Sequence, residues 1–200
     1  TLKGQWLLLW DELASPQSIE TLQEKYSDTI QVPSLWTTQE HPQESGKNLS
    51  GQGHATYVLE IKLPAGVRSQ DLTLASQAVG TAANWVITTP DGTQELGRMD
   101  QGVASSSRNG TIPVRVNAAV NLGYSKQRSV VVWLNLSNYH VARGGIWNAP
   151  QLGLSAPLTH NLFQRTLLNA GIFGLLMIVA LSHFVLFLQR REDRPSLYFA

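Results

Sequence analysis

The sequence predicts a mainly β protein: a sandwich of antiparallel sheets followed by one membrane-spanning α-helix. Three observations lead there. Short segments that alternate apolar and polar side chains recur between turn signals over about the first 160 residues. Residues 167–188 contain no Asp, Glu, Lys or Arg, whereas the chain before them is polar and rich in Gly, Ser, Thr and Asn. Three arginines, Arg190, Arg191 and Arg194, follow that apolar run, against a single Arg165 just before it. The expected division is a β-sandwich domain over 1–160, a first transmembrane helix over 161–189, and a cytoplasmic loop entering a second helix over 190–200.

The strands are argued in order. Leu2-Lys3-Gly4-Gln5-Trp6 opens a strand. Pro16 to Tyr26 carries Ile19, Leu22 and Tyr26 at helical spacing, which predicts a short amphipathic surface helix. Tyr57 to Leu63 alternates as a half-buried strand should and is closed by Pro64-Ala65-Gly66. Asp71 to Ala75 has the same period. Ala83 to Thr89 runs into Pro90-Asp91-Gly92, a turn from which Gln94-Glu95-Leu96 can return alongside. Ile112 to Val116 and Ser129 to Leu136 complete the set, the latter beginning as a β-branched run that suits a central strand buried on both faces. No repeat of roughly 20–50 residues is present, which argues against a solenoid or propeller.

The run from Leu167 to Leu188 would rise about 33 Å as a helix, matching a hydrocarbon core of roughly 30 Å. The arginines after it put its carboxyl end in the cytoplasm by the positive-inside rule, and residues 1–160 outside. Pro195-Ser196-Leu197-Tyr198-Phe199-Ala200 turns apolar again, as the start of a second span would. His183 is the titratable group within the span, read as a polar contact to a neighbouring helix or the interface. Thr1 is not an initiator, so a removed export signal ahead of it is expected.

Composition narrows the chemistry. A formal charge of +1 gives no electrostatic reason to bind nucleic acid. With no cysteine there is no disulfide framework, thiolate nucleophile or cysteine-held metal. His41, His54 and His140 lack ligand spacing, so no metal site is expected, and no cofactor motif occurs; Gly46, Gly51 and Gly53 are not followed by Lys-Ser/Thr. The acidic residues, Asp11 and Glu44 among them, read as solvated turn or outward strand positions rather than the facing pair that glycoside hydrolysis needs.

Several landmarks fall in a recognisable order: Gly4-Gln5-Trp6, Pro33-Ser34-Leu35-Trp36, Gly53-His54-Ala55-Thr56-Tyr57, Asn138-Tyr139-His140, Gly144-Gly145-Ile146 and Leu152-Gly153. The chain resembles the extracellular jelly-roll, galactose-binding-like domain, with its first transmembrane helix, of bacterial seven-transmembrane receptors with diverse intracellular signalling modules. Its first half is also similar to the sugar-binding sandwich of β-galactosidase-type glycosidases. Where both families commonly carry an Asn-Gly hairpin, this chain has Asp91-Gly92 preceded by Pro90.

The resemblance implies a ligand-sensing ectodomain in the bacterial inner membrane, exposed on the periplasmic or extracellular side. It would bind a carbohydrate or other small molecule and relay to an intracellular output domain. Membrane lipid and further helices of the same protein are the other expected partners. A membrane-anchored carbohydrate-binding module without signalling is the alternative, and a degenerate glycosidase fragment a third reading. Candidate ligand contacts are Trp36, Trp85 and Trp147, whose faces could stack on sugar, with Asn138, His140 and Arg143 as polar partners beside Gly144-Gly145. No catalytic residue is assigned. Trp6, Tyr57 and Trp133 lie in strands and read as core.

Overall fold

A computed structural model describes residues 1–79 and 81–189; the expected loop and second helix over 190–200 lie outside the described residues. The chain divides into two compact units, Thr1–Ser155 and Ala156–Ala200.

The first unit is the β-sandwich, and every strand pairing in it is antiparallel. Its strands are β1 (Gly4–Trp10), β2 (Thr29–Val32), β3 (Ser34–Leu35), β4 (Gly53–Lys62), β5 (Leu72–Ser76), β6 (Ala82–Thr88), β7 (Glu95–Val103), β8 (Ile112–Pro113), β9 (Ala118–Asn121), β10 (Ser129–Asn138), β11 (Gly145–Ile146) and β12 (Gln151–Leu154). Seven form one sheet in the order β2-β1-β4-β10-β6-β7-β8. A second sheet is β12-β5-β9, and β11 pairs with β3 apart from both. One helix, α1 (Ile19–Lys25), interrupts the first strands.

The large sheet is buried on both faces, and β10 shows why its sequence lacks alternation. Val130, Val132, Leu134 and Leu136 point into the main core, with Trp6, Tyr57, Trp85 and Ile87 beside them and Leu72, Leu74 and Leu122 among the residues facing them. Val131 and Trp133 point the other way, against Leu9, Val58 and Val86, beneath Ile19 and Leu22 of α1. The weak helical spacing therefore marks a real cover, since Leu22 is fully buried. At roughly 1.5–3 kcal/mol per buried large apolar side chain, these two clusters supply most of the drive for folding.

The Pro90-Asp91-Gly92 signal forms the expected turn between β6 and β7. Gly92 has φ +72, its N–H donates to the Thr89 carbonyl, and the Thr89 N–H donates to the Gln94 carbonyl. The Ile112–Val116 strand is shorter than its sequence suggests, only β8, and Val114 and Val116 lie exposed beyond it. A cis peptide joins Val32 to Pro33.

In the second unit, α2 (Ser155–Gln189) contains the apolar segment Thr166–Leu188, 23 residues with a mean hydropathy of 2.4 and none of its most apolar stretch buried. Its apolar surface runs all round the helix, as lipid requires, rather than along one stripe. Length and composition suffice to cross a membrane. Along the chain, β12 ends at Leu154 and α2 begins at the next residue, Ser155.

Candidate functional site

The structure separates the predicted ligand contacts. Trp85 sits on the inner face of β6 with no exposed surface, and its indole N–H donates to Gln101 Oε1 at 2.9 Å. Trp36 is equally buried; its N–H donates to Tyr57 Oη at 2.5 Å, and burial holds that phenol far above its ordinary titration range. Neither indole presents a face to a ligand, which corrects the expectation for both. Strand register decides Trp85, opposite Leu134 of β10. The β3–β11 pairing decides Trp36. Gly144 lies so close over its ring that an added Cβ would be 2.2 Å from it, and Gly145 (φ +114) lets β11 reach Leu35.

Asn138 is also structural. Its amide donates to the carbonyls of Gly51 (2.5 Å) and Val141 (2.9 Å), and its Oδ1 accepts from the Val141 N–H, which closes the turn after β10. His140 and Arg143 are exposed on that turn. Trp147 is 38% exposed and lies under the Arg115 guanidinium, 5.7 Å from ring centre to Cζ. Trp36 and Asn138 thus meet through the Gly51 and Gly144 backbones, while Trp85 serves the core and Trp147 pairs with Arg115.

A cleft of about 350 Å³ opens instead at the end of β1, with Trp10 as its aromatic wall. Trp10 is half-buried and held from several sides. Its ring meets Trp36 edge-on at 4.9 Å and His41 at 6.2 Å, and its edge lies over Gly53, whose φ of +148 and bare Cα admit it. The next residue, Asp11, has φ 56, a left-handed conformation that costs a non-glycine residue roughly 1–2 kcal/mol. It turns the chain so that its carboxylate borders the cleft.

The opposite rim is the loop before β4, which is built rather than loose. The His41 N–H donates to the Lys47 carbonyl at 2.7 Å, Asn48 Nδ2 to the Thr37 carbonyl at 2.9 Å, and the Gly46 N–H to Glu40 Oε1 at 3.0 Å. His41 Nδ1 accepts from the Gln43 N–H, so a neutral ring carries its proton on Nε2. Lys47 and Glu44 pair at 2.6 Å at the mouth, and Asn48, Ser50 and Gln52 add uncharged polar groups. Behind Asp11, the Tyr139 hydroxyl donates to the Ser106 carbonyl and therefore accepts from His54 Nδ1 at 2.9 Å. Burial, and after it the Asp11 charge, raise the Tyr139 pKa.

Sequence reading sets Asp11 and Glu44 among solvated acidic positions and His41 among histidines without ligand spacing, and does not single out Trp10. They stand up to about 34 positions apart, and only the adjacent pair Trp10-Asp11 at a strand end carried a signal.

The class that this fold defines is the antiparallel β-sandwich found within glycosyl hydrolase family 2 structures. Solved structures of that class match along most of this chain, two of them as follows. One is a glycosyl hydrolase family 2 member from Bacteroides cellulosilyticus (TM-score 0.51, 10% identity, 75% of this chain and 20% of that one). The other is a calcium-binding mutant of β-glucuronidase 2 from Bacteroides uniformis (TM-score 0.51, 16% identity, 76% and 17%). At such identities the likeness concerns the fold, and this chain spans about a fifth of the length of either structure. No family model and no curated protein sequence matches this chain.

Proposed function

We infer that this chain is the ligand-sensing ectodomain of a bacterial transmembrane signalling receptor, joined directly to its first membrane helix. The observation that carries the reading is a pre-organised cleft with an aromatic wall, on a sandwich whose last strand runs without a loop into a helix apolar enough to span a bilayer. An aromatic wall with polar groups around it suits carbohydrate, because sugars offer one apolar C–H face and many hydroxyls. The sandwich fold shared with glycosyl hydrolase family 2 structures is consistent with that chemistry, and so is the resemblance to seven-transmembrane receptors. The domain lies on the periplasmic side of the inner membrane, because the arginines that follow the span favour the cytoplasm.

Binding, rather than catalysis, is the proposal. Glycoside hydrolysis needs one carboxyl kept protonated by an apolar setting, whereas the Asp11 and Glu44 side chains are 67% and 51% exposed. Signalling requires that ligand favour one of two helix arrangements over the other; equal affinity for both would transmit nothing.

Residues 1–200 contain no cysteine, and the test uses a full-length receptor in which any cysteine beyond them has been replaced by serine. Single cysteines placed at Ser45 and at Ser196 are labelled in intact cells with a membrane-impermeant maleimide, and the full-length receptor is assayed for output with and without sugars. Labelling at 45 alone, with a ligand-dependent output, is the expected result. The same labelling with an unresponsive output would make the protein a membrane-anchored carbohydrate-binding module. Labelling at 196 alone would overturn the orientation.

A further inference from the structure

We propose that the Trp10 cleft selects by charge, taking a neutral or cationic hydroxylated ring such as a hexose or amino sugar and rejecting its uronic acid. The proposal rests on the ligand-sensing reading and assigns that ligand's place and chemical class.

The residues bordering the cleft set the sign. Asp11 and Glu44 are carboxylates, Lys47 is the one ammonium, and Lys47 is already engaged by Glu44 at 2.6 Å. Carboxylates therefore outnumber ammonium groups on the cleft border, and the ion-pair neighbour of the Asp11 carboxylate among the described residues is His54 Nδ1 at 4.0 Å rather than a lysine or arginine. A second carboxylate brought in by a ligand would meet repulsion from Asp11, and would have to compete with Glu44 for Lys47. An ammonium, or a hydroxyl that donates to Asp11, meets the opposite. The backbone also marks Asp11 as placed. Its left-handed conformation is retained at the strand end while its amide N–H donates to the His54 carbonyl at 3.0 Å, so the backbone that carries the carboxylate is held beside Trp10.

The wall is rigid for the same reason. Trp10 rests on Trp36, Trp36 on Tyr57 through its N–H, and Gly53 and Gly144 leave room for both rings. A platform ordered before the ligand arrives loses little entropy on binding. Asn48, Ser50 and Gln52 then supply donors and acceptors without adding charge.

The test uses the full chain in detergent and two sugar series that share a ring and differ in charge: glucose, glucosamine and glucuronate, and galactose, galactosamine and galacturonate. Tryptophan fluorescence and thermal shift are read at pH 7. Saturable binding of the neutral or amino member is expected in at least one series, with the uronate weaker by about tenfold or more. Asp11→Asn keeps the left-handed backbone, which asparagine tolerates, and should narrow that gap while leaving the melting temperature unchanged. Trp10→Phe should weaken every member of the series together.

Equal or tighter uronate binding would overturn the charge rule and leave the sensing reading intact. Binding lost on Trp147→Ala but kept in Trp10→Phe and Asp11→Asn would overturn the location alone. A flat response to all six sugars would overturn the proposal, while a ligand-dependent output of the full-length receptor would still uphold sensing.

Discussion

The indoles of Trp10 and Trp36 meet edge to face, 4.9 Å between centroids and 88° between planes, so that a fully buried residue sets the angle of a half-exposed one. Gly144 is the space that makes this possible. Substitution Gly144→Ala places a methyl 2.2 Å from the Trp36 ring and close to the Gly51 carbonyl, neither of which has room to yield. A loss of about 1–3 kcal/mol is expected, as for other overpacked sites, together with a changed near-ultraviolet circular dichroism signal as both rings shift. An unchanged spectrum would count against the contact.

The two tryptophans furthest apart in role should separate in stability. Trp85→Ala removes a fully buried ring and leaves Gln101 Oε1 without its donor, at a cost of about 3–5 kcal/mol. Trp147→Ala removes only a partly exposed ring and its contact with Arg115, worth less than about 1 kcal/mol. Thermal melts of the two variants side by side decide it, and similar melting temperatures would contradict the placement.

Glycines with positive φ should differ by what surrounds them. At Gly92 an added Cβ meets the Gln17 backbone at 2.6–2.7 Å, so Gly92→Ala combines left-handed strain with a clash against chain that cannot move aside. At Gly66 (φ +85) nothing lies within 4 Å, and Gly66→Ala should cost only the conformational part, about 1 kcal/mol. The ordering, Gly92 well above Gly66, is read from urea midpoints.

Acid should unfold the β6–β7 turn through Asp91. Its carboxylate accepts from the Thr89 hydroxyl at 2.5 Å and from the Thr93 N–H at 3.2 Å, and these bonds hold its pKa below the ordinary value. A depressed folded pKa means that the stabilisation is fully present above the unfolded value near 4 and is lost as pH falls through the folded one. Urea midpoints between pH 5 and pH 2 should therefore fall less steeply in Asp91→Asn than in the parent. Identical slopes would show that the turn's bonds do not depend on charge.

Much of the fold was legible because its signals are local. The alternation of Tyr57 to Leu63, the unbroken Val130-Val131-Val132 and the Pro90-Asp91-Gly92 turn each express a constraint acting within a few residues. The second strand was not, although Thr29 to Val32 alternates, because four residues at a sheet edge ending in Pro33 read equally well as a turn. The candidate site was hardly legible. Trp36, following Pro33, reads as a candidate ligand contact, and nothing in its neighbourhood reveals that Gly144, more than a hundred positions later, lies across its ring.

The sequence by itself determined the two materials of this chain: a β domain with an apolar core and a charge-free run, 167–188, long enough as a helix for a bilayer, since periodicity and composition are properties of neighbouring residues. Only the tertiary structure decided which tryptophan faces solvent and which carboxylate stands beside it. Exposure belongs to the packed assembly: β1 delivers Trp10 and Asp11 to one edge, the loop before β4 delivers His41 and Glu44 to the other, and the cleft exists only where the two are brought together.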